Sequence, residues 1–148
     1  YGVVSNMSIA MERRDLLQKF DCFICNQQEA GMFFSDDYSE KSQEELQEIL
    51  ADCLKNGNIP SMVVTMGGKG SVYADCKGLR GFCPPKNVSV KDTTGAGDSF
   101  CAGVASGLTY GKTLPEAVEI GTRLAASVIT SSENVCPRFL PAEFGLEV

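Results

Sequence analysis

Asp92-Thr93-Thr94-Gly95-Ala96-Gly97-Asp98 is the stretch on which the fold turns. Strand-like Val88-Ser89-Val90 precedes it, and Ser99-Phe100-Cys101-Ala102-Gly103-Val104-Ala105, which reads as a helix, follows it. A strand therefore runs into a glycine-rich turn that opens a helix. The first N–H groups of a helix lack internal partners, and the aligned peptide dipoles leave that end partly positive, so it binds anions, phosphate above all. Gly95, Ala96 and Gly97 carry little or no side chain, which lets a phosphate approach their amides closely. Asp98 then falls in the first turn, beside any anion bound there. A carboxylate next to a phosphate is repulsive unless it has a task, and taking the proton from a hydroxyl that attacks the phosphate is such a task. An acid that merely complements the helix dipole accounts for Asp98 but not for the small triplet in front of it.

Two other glycine motifs are excluded. A dinucleotide fingerprint needs a further glycine where Phe100 stands. A phosphate loop ending in Gly111-Lys112-Thr113 needs its first glycine where Ser106 stands, and the segment before it reads as helix rather than strand. Gly111 is better read as a helix stop, with Thr113 and Glu116 as the capping box of a new helix.

Asp92 to Ala105 resembles the C-terminal signature of the ribokinase family of carbohydrate kinases, also called the PfkB family. Two more segments fit in the expected order. Asn26-Gln27-Gln28-Glu29 is similar to the family's Asn-x-x-Glu, and Val63-Val64-Thr65-Met66-Gly67-Gly68-Lys69-Gly70 looks like its nucleotide-side strand and turn. The resemblance implies an ATP-dependent kinase acting on a sugar or nucleoside, with Asp98 as catalytic base and the amides of Gly95, Ala96 and Gly97 as an anion hole. It places Thr65, Gly67, Lys69, Gly70 and, on the last helix, Thr122 at the nucleotide. Some relatives carry an asparagine where Thr122 aligns, which leaves the base contacts open. Asn26 and Glu29 are implied to serve magnesium through water, and Asp92 and Thr94 a monovalent cation such as potassium. Asn26 and Glu29 also have the pattern of a helix capping box, and the two roles can coexist.

The rest of the composition bounds the function. The 148 residues suffice for one α/β domain burying roughly two-thirds of its unfolded surface. With a net charge of −6, a general nucleic-acid or anionic-membrane binder is disfavoured. No apolar run approaches the ~20 residues of a membrane span, and no secretory signal is evident. Histidine is absent, which removes Ser-His-Asp triads and His-based zinc sites. Seven irregularly spaced cysteines read as reduced thiols of a cytoplasmic protein, with Cys22 and Cys25 in the core rather than on a metal.

Along the chain, Val3-Val4 reads as a strand, Ile9–Phe20 as a helix, Cys22–Cys25 as a strand and Gln27 onward as a short helix. Ser35–Ser39 reads as a solvated polar loop. Ser42 and Glu45 cap a helix running to about Lys55, with the core stripe Leu46, Ile49, Leu50, Cys53, Leu54 and a stop at Asn56-Gly57. Met62–Met66, Ser71–Ala74 and Leu79–Cys83 follow as strands, and Gly97–Tyr110 and Leu114–Thr130 as helices. The expected fold is a ribokinase-like three-layer αβα sandwich with a mostly parallel sheet and an antiparallel edge hairpin. The chain starts strand-like at Tyr1-Gly2-Val3-Val4, and members of the family it resembles are roughly twice as long, so the resemblance covers nearly all of it but only the C-terminal half of a family member. The N-terminal half, with most sugar contacts and the lid, is expected to lie outside it. The complete protein admits a homodimer. A non-catalytic nucleotide-binding or oligomerisation module that kept the fold is the alternative from another class.

Overall fold

The structure, a computed structural model, describes residues 2–3, 12, 19–38, 40–85 and 96–129. The chain divides into two compact units, Tyr1–Pro84 and Pro85–Val148, each described by itself.

In the first unit five strands form one sheet in the order β1 (Gly2–Val3), β2 (Phe23–Asn26), β3 (Ser61–Thr65), β4 (Ser71–Asp75), β5 (Arg80–Cys83). The first three run parallel, and β4 and β5 then fold back antiparallel at the edge. Parallel neighbours need a long crossover. Between β2 and β3 it contains helices α1 (Gln27–Phe34) and α2 (Gln43–Gly57). Alternation along the strands puts Phe23, Cys25, Met62, Val64, Val72 and Ala74 on one face, and these are buried together with Ala30, Phe33, Leu46, Leu50 and Leu54 of the helices. Leu46, Leu50 and Leu54 recur at helical spacing and are fully buried, each contributing about 1.5–3 kcal/mol relative to exposure.

Caps fix where the helices start. Ser42 and Glu45 form the expected box at α2, with Glu45 N–H donating to Ser42 Oγ over 3.2 Å and Ser42 N–H to Glu45 Oε2 over 3.4 Å. The stop of α2 differs from expectation. The helix runs through Gly57, and Asn58 is the left-handed residue, at φ 51°. Asn tolerates that conformation, and the N–H groups of Asn58 and Ile59 both go to the Leu54 carbonyl while Ile59 packs into the core. The loop after α1 differs as well. Tyr38 is buried rather than solvated, ringed by Phe34 at 6.4 Å, and its carbonyl accepts from Gln27 Nε2. Met66 lies just past β3, where its N–H closes the following turn onto the Gly70 carbonyl at 2.9 Å.

In the second unit α3 (Ala96–Thr109) and α4 (Leu114–Ile129) pack on each other. Glycines set their distance. A Cβ on Gly121 would stand 2.6 Å from the Phe100 carbonyl, and one on Gly103 2.6 Å from Gly121 Cα. Gly111 (φ 78°) ends α3 as expected, with its own N–H on Leu108 and that of Lys112 on Gly107. Thr113 and Glu116 cap α4 reciprocally. The strand expected at Val88–Val90 lies outside the described residues, as does nearly all of the helix expected at Ile9–Phe20.

Candidate active site

Helix α3 opens at Ala96 and carries Asp98 in its first turn, exposed to solvent. The reason lies in the helix phase. Phe100, Gly103, Val104 and Gly107 take the inner face against α4, which leaves Asp98 outside. Gly97 is exposed, and a Cβ there would meet nothing within 4 Å among the described residues beyond its own helix. Asp92, Thr94 and Gly95 lie outside the described residues. Gly111–Thr113 links two helices rather than a strand to a helix, which is not the setting of a phosphate loop, and the Lys112 N–H closes the α3 stop.

At the end of β3, Thr65 is half-buried and Gly67–Lys69 forms one 3₁₀ turn. Gly67 sits at φ 59° with open space where a side chain would be. Gly70 sits at φ 104°, and a Cβ there would come within 2.4 Å of the Cys83 carbonyl. Only glycine fits the second position, and the turn is closed by the Lys69 N–H on the Met66 carbonyl and the Gly70 N–H on the Gly67 carbonyl. Lys69 is exposed.

Asn26 ends β2 and caps α1. Its Oδ1 accepts from Glu29 N–H at 2.8 Å, and its own N–H donates to Glu29 Oε2 at 2.7 Å. The capping reading is therefore realised, and it uses only one carboxylate oxygen of Glu29. Asn26 is exposed and Glu29 half-buried. Register places Asn26 beside Thr65, Thr65 beside Ser71, and Ser71 beside Cys83, a polar row along one end of the sheet. The sequence pattern marks Ser71 only as the start of a strand. Its hydroxyl is buried and has no hydrogen-bond partner among the described residues. Only the strand register, not the local sequence, could have revealed it.

Thr122, on α4, is half-buried and donates its hydroxyl to the Val118 carbonyl at 2.8 Å. Cys22 and Cys25 are buried, and burial pushes the Cys22 thiol above its ordinary range, as suits an inert core thiol. Among the described residues no three His, Cys, Asp or Glu side chains gather as a metal site, and no helix is long and apolar enough to cross a membrane. An open cleft beside the end of α1, lined by Gln28, Met32, Ser35, Asp36 and Asp37 among others, contains none of the candidate residues.

Comparison with known proteins gives this geometry its context. A family model described as pfkB family carbohydrate kinase matches residues 2–137. The guanosine-inosine kinase of Exiguobacterium acetylicum is 40% identical over 144 residues, which are 96% of this chain and 46% of that protein. A Clostridium perfringens protein assigned as a sugar kinase superposes with a TM-score of 0.79 at 21% identity, over 96% of this chain and 44% of the other. Ribokinase from Cryptococcus neoformans, solved with ADP, gives 0.71 at 24% identity, over 88% and 46%. The fold is thus that of the ribokinase-like kinases. The chain spans less than half the length of these relatives.

Proposed function

Since the chain belongs to the pfkB family of carbohydrate kinases, we propose that it is the C-terminal, nucleotide-binding and catalytic half of an ATP-dependent phosphotransferase acting on a hydroxyl or hydroxymethyl group of a sugar or nucleoside. The observation that carries the reading is the exposed Asp98 in the first turn of α3, directly after Gly97, where a Cβ would meet no described atom within 4 Å. In this reading the acceptor oxygen bonds to the γ-phosphorus of ATP as the bond to the leaving ADP oxygen breaks. Asp98 takes the acceptor proton late in the transfer, because the transition state is loose and little nucleophile activation is needed early. Charge on the moving phosphoryl group is met by the amides of Gly95, Ala96 and Gly97.

Thr65, Gly67, Lys69, Gly70 and Thr122 are assigned to the nucleotide. The open space over Gly67 fits a phosphate or ribose lying on the turn. Asn26 and Glu29 are assigned to magnesium through water. Glu29 gives the capping box one oxygen, and magnesium retains several waters, so both duties fit one side chain. Magnesium, when bound, supplies neutralisation of phosphate charge. Asp92 and Thr94 are assigned to a monovalent cation. A cytoplasmic location goes with this reading.

The test is Asp98→Asn in a kinase that joins this chain to its N-terminal half. Turnover is expected to fall at least ~100-fold with nucleotide affinity retained, since the base acts in the transition state rather than the ground state. Near-normal turnover would remove Asp98 from the role.

A further inference from the structure

Asp98 stands in the first turn of α3, and among the described residues its carboxylate has no hydrogen-bond or ion-pair partner. Its place therefore follows the backbone of that turn. The turn is held from the other face of the helix. Phe100 is the first buried side chain after Asp98, and two residues on in a helix it projects nearly opposite to the carboxylate. It meets α4 at Gly121, where a Cβ would lie 2.6 Å from the Phe100 carbonyl and 3.2 Å from its ring Cδ2. Further along α3 the contact continues through Gly103 and Val104 to Gly107, which abuts Ala117 and Ile120. Among these contacts, that of Phe100 is nearest Asp98. The arrangement is a lever. At a rise of about 1.5 Å per residue Asp98 lies roughly 13 Å beyond Gly107, so a tilt of about 5° there carries it roughly 1 Å. Misplacement on that scale costs about a hundredfold in rate.

We propose that Phe100 is a positioning residue for Asp98: its ring, seated against Gly121, fixes the tilt of the first turns of α3 and with it the place of the carboxylate. The proposal rests on the kinase reading, in which Asp98 takes the acceptor proton. Gly121 lets the ring lie directly on the α4 backbone, which is stiffer than a side-chain tip. A smaller side chain at position 100 leaves space into which the turn can shift.

The experiment uses the kinase that joins this chain to its N-terminal half and compares Phe100→Leu with Ile120→Val, a truncation in the same helix pair at the Gly107 end. Melting temperatures establish that both are folded at the assay temperature. If Phe100→Leu does not fold, Phe100→Met, closer to the ring in volume, is read in the same way. Phe100→Leu should lower kcat about tenfold with the KM for ATP within about twofold of the parent, and Ile120→Val should leave both within about twofold. On an Asp98→Asn background Phe100→Leu should cost nothing further, because the group it positions is already gone. Equal losses of kcat in the two single variants overturn the proposal, since the interface is then merely structural. A raised KM with unchanged kcat overturns it as well, and so does a full additional loss on the Asp98→Asn background. A large loss in Asp98→Asn with normal kcat in Phe100→Leu overturns the proposal alone. Near-normal turnover of Asp98→Asn by itself overturns the role of Asp98, and this proposal with it.

Discussion

Glu29 carries two duties in the proposed site, and one substitution separates them. Glutamine can complete a capping box as glutamate does, so Glu29→Gln keeps the bond to the Asn26 N–H while removing the charge. Stability should change by no more than ~1 kcal/mol, the size of a charge's interaction with a helix end. The magnesium concentration giving half-maximal turnover should rise about tenfold, as for outer-shell partners of a metal. Stability by denaturant titration and magnesium dependence of turnover decide it. If neither moves, Glu29 is a cap alone. At this scale the sequence was readable where a residue's role is local. Asn26 and Glu29, Ser42 and Glu45, and Thr113 and Glu116 announce their boxes by spacing, and the structure makes all of them. Ser71 was not readable, because its burial is decided by strands β3 and β5 on either side of it.

At the scale of elements, the α3–α4 pair shows packing overriding propensity. Alanine in place of glycine inside a helix ordinarily stabilises by about 0.8–1 kcal/mol. At Gly121 the added Cβ would lie 2.6 Å from the Phe100 carbonyl and 2.8 Å from Val104 Cγ2. Backbone cannot yield as a side-chain tip does, so overpacking of about 1–3 kcal/mol should prevail. Gly121→Ala is therefore expected to lower the denaturation midpoint, and a raised midpoint would show that the two helices separate at little cost. The positions of α2, α3 and α4 were legible from periodicity and caps. The stop of α2 at Asn58 and the burial of Tyr38 were not. Gly57 looked the better terminator by propensity, but Ile59 has a core position to reach, and that fixes which residue must turn left-handed. Tyr38 sits among charged neighbours, yet the Phe34 ring, the side-chain amide of Gln27 and the close backbone approach that Gly31 permits give it a place inside.

For the whole molecule, the chain spans 46% of the guanosine-inosine kinase it resembles, and in the proposed division of labour the acceptor side belongs to the other half. The proposed nucleotide elements Thr65–Gly70 and Asp92–Asp98 are both in the sequence, so the 148-residue chain is expected to bind ADP or ATP weakly. It should phosphorylate no acceptor detectably. Phosphoryl transfer depends on holding hydroxyl and phosphate in line with water excluded, and orientation alone is worth about 7 kcal/mol or more. Loss of that much is on the order of a hundred-thousand-fold in rate, below ordinary assay sensitivity. Calorimetry with ATP and magnesium measures the first expectation, and ADP release across a panel of sugars and nucleosides, set against background hydrolysis, measures the second. Acceptor-dependent turnover by this chain alone would show that the acceptor is held by residues within it. The assignment of acceptor binding to the N-terminal half would then fail, while the role of Asp98 would stand or fall separately on its own variant.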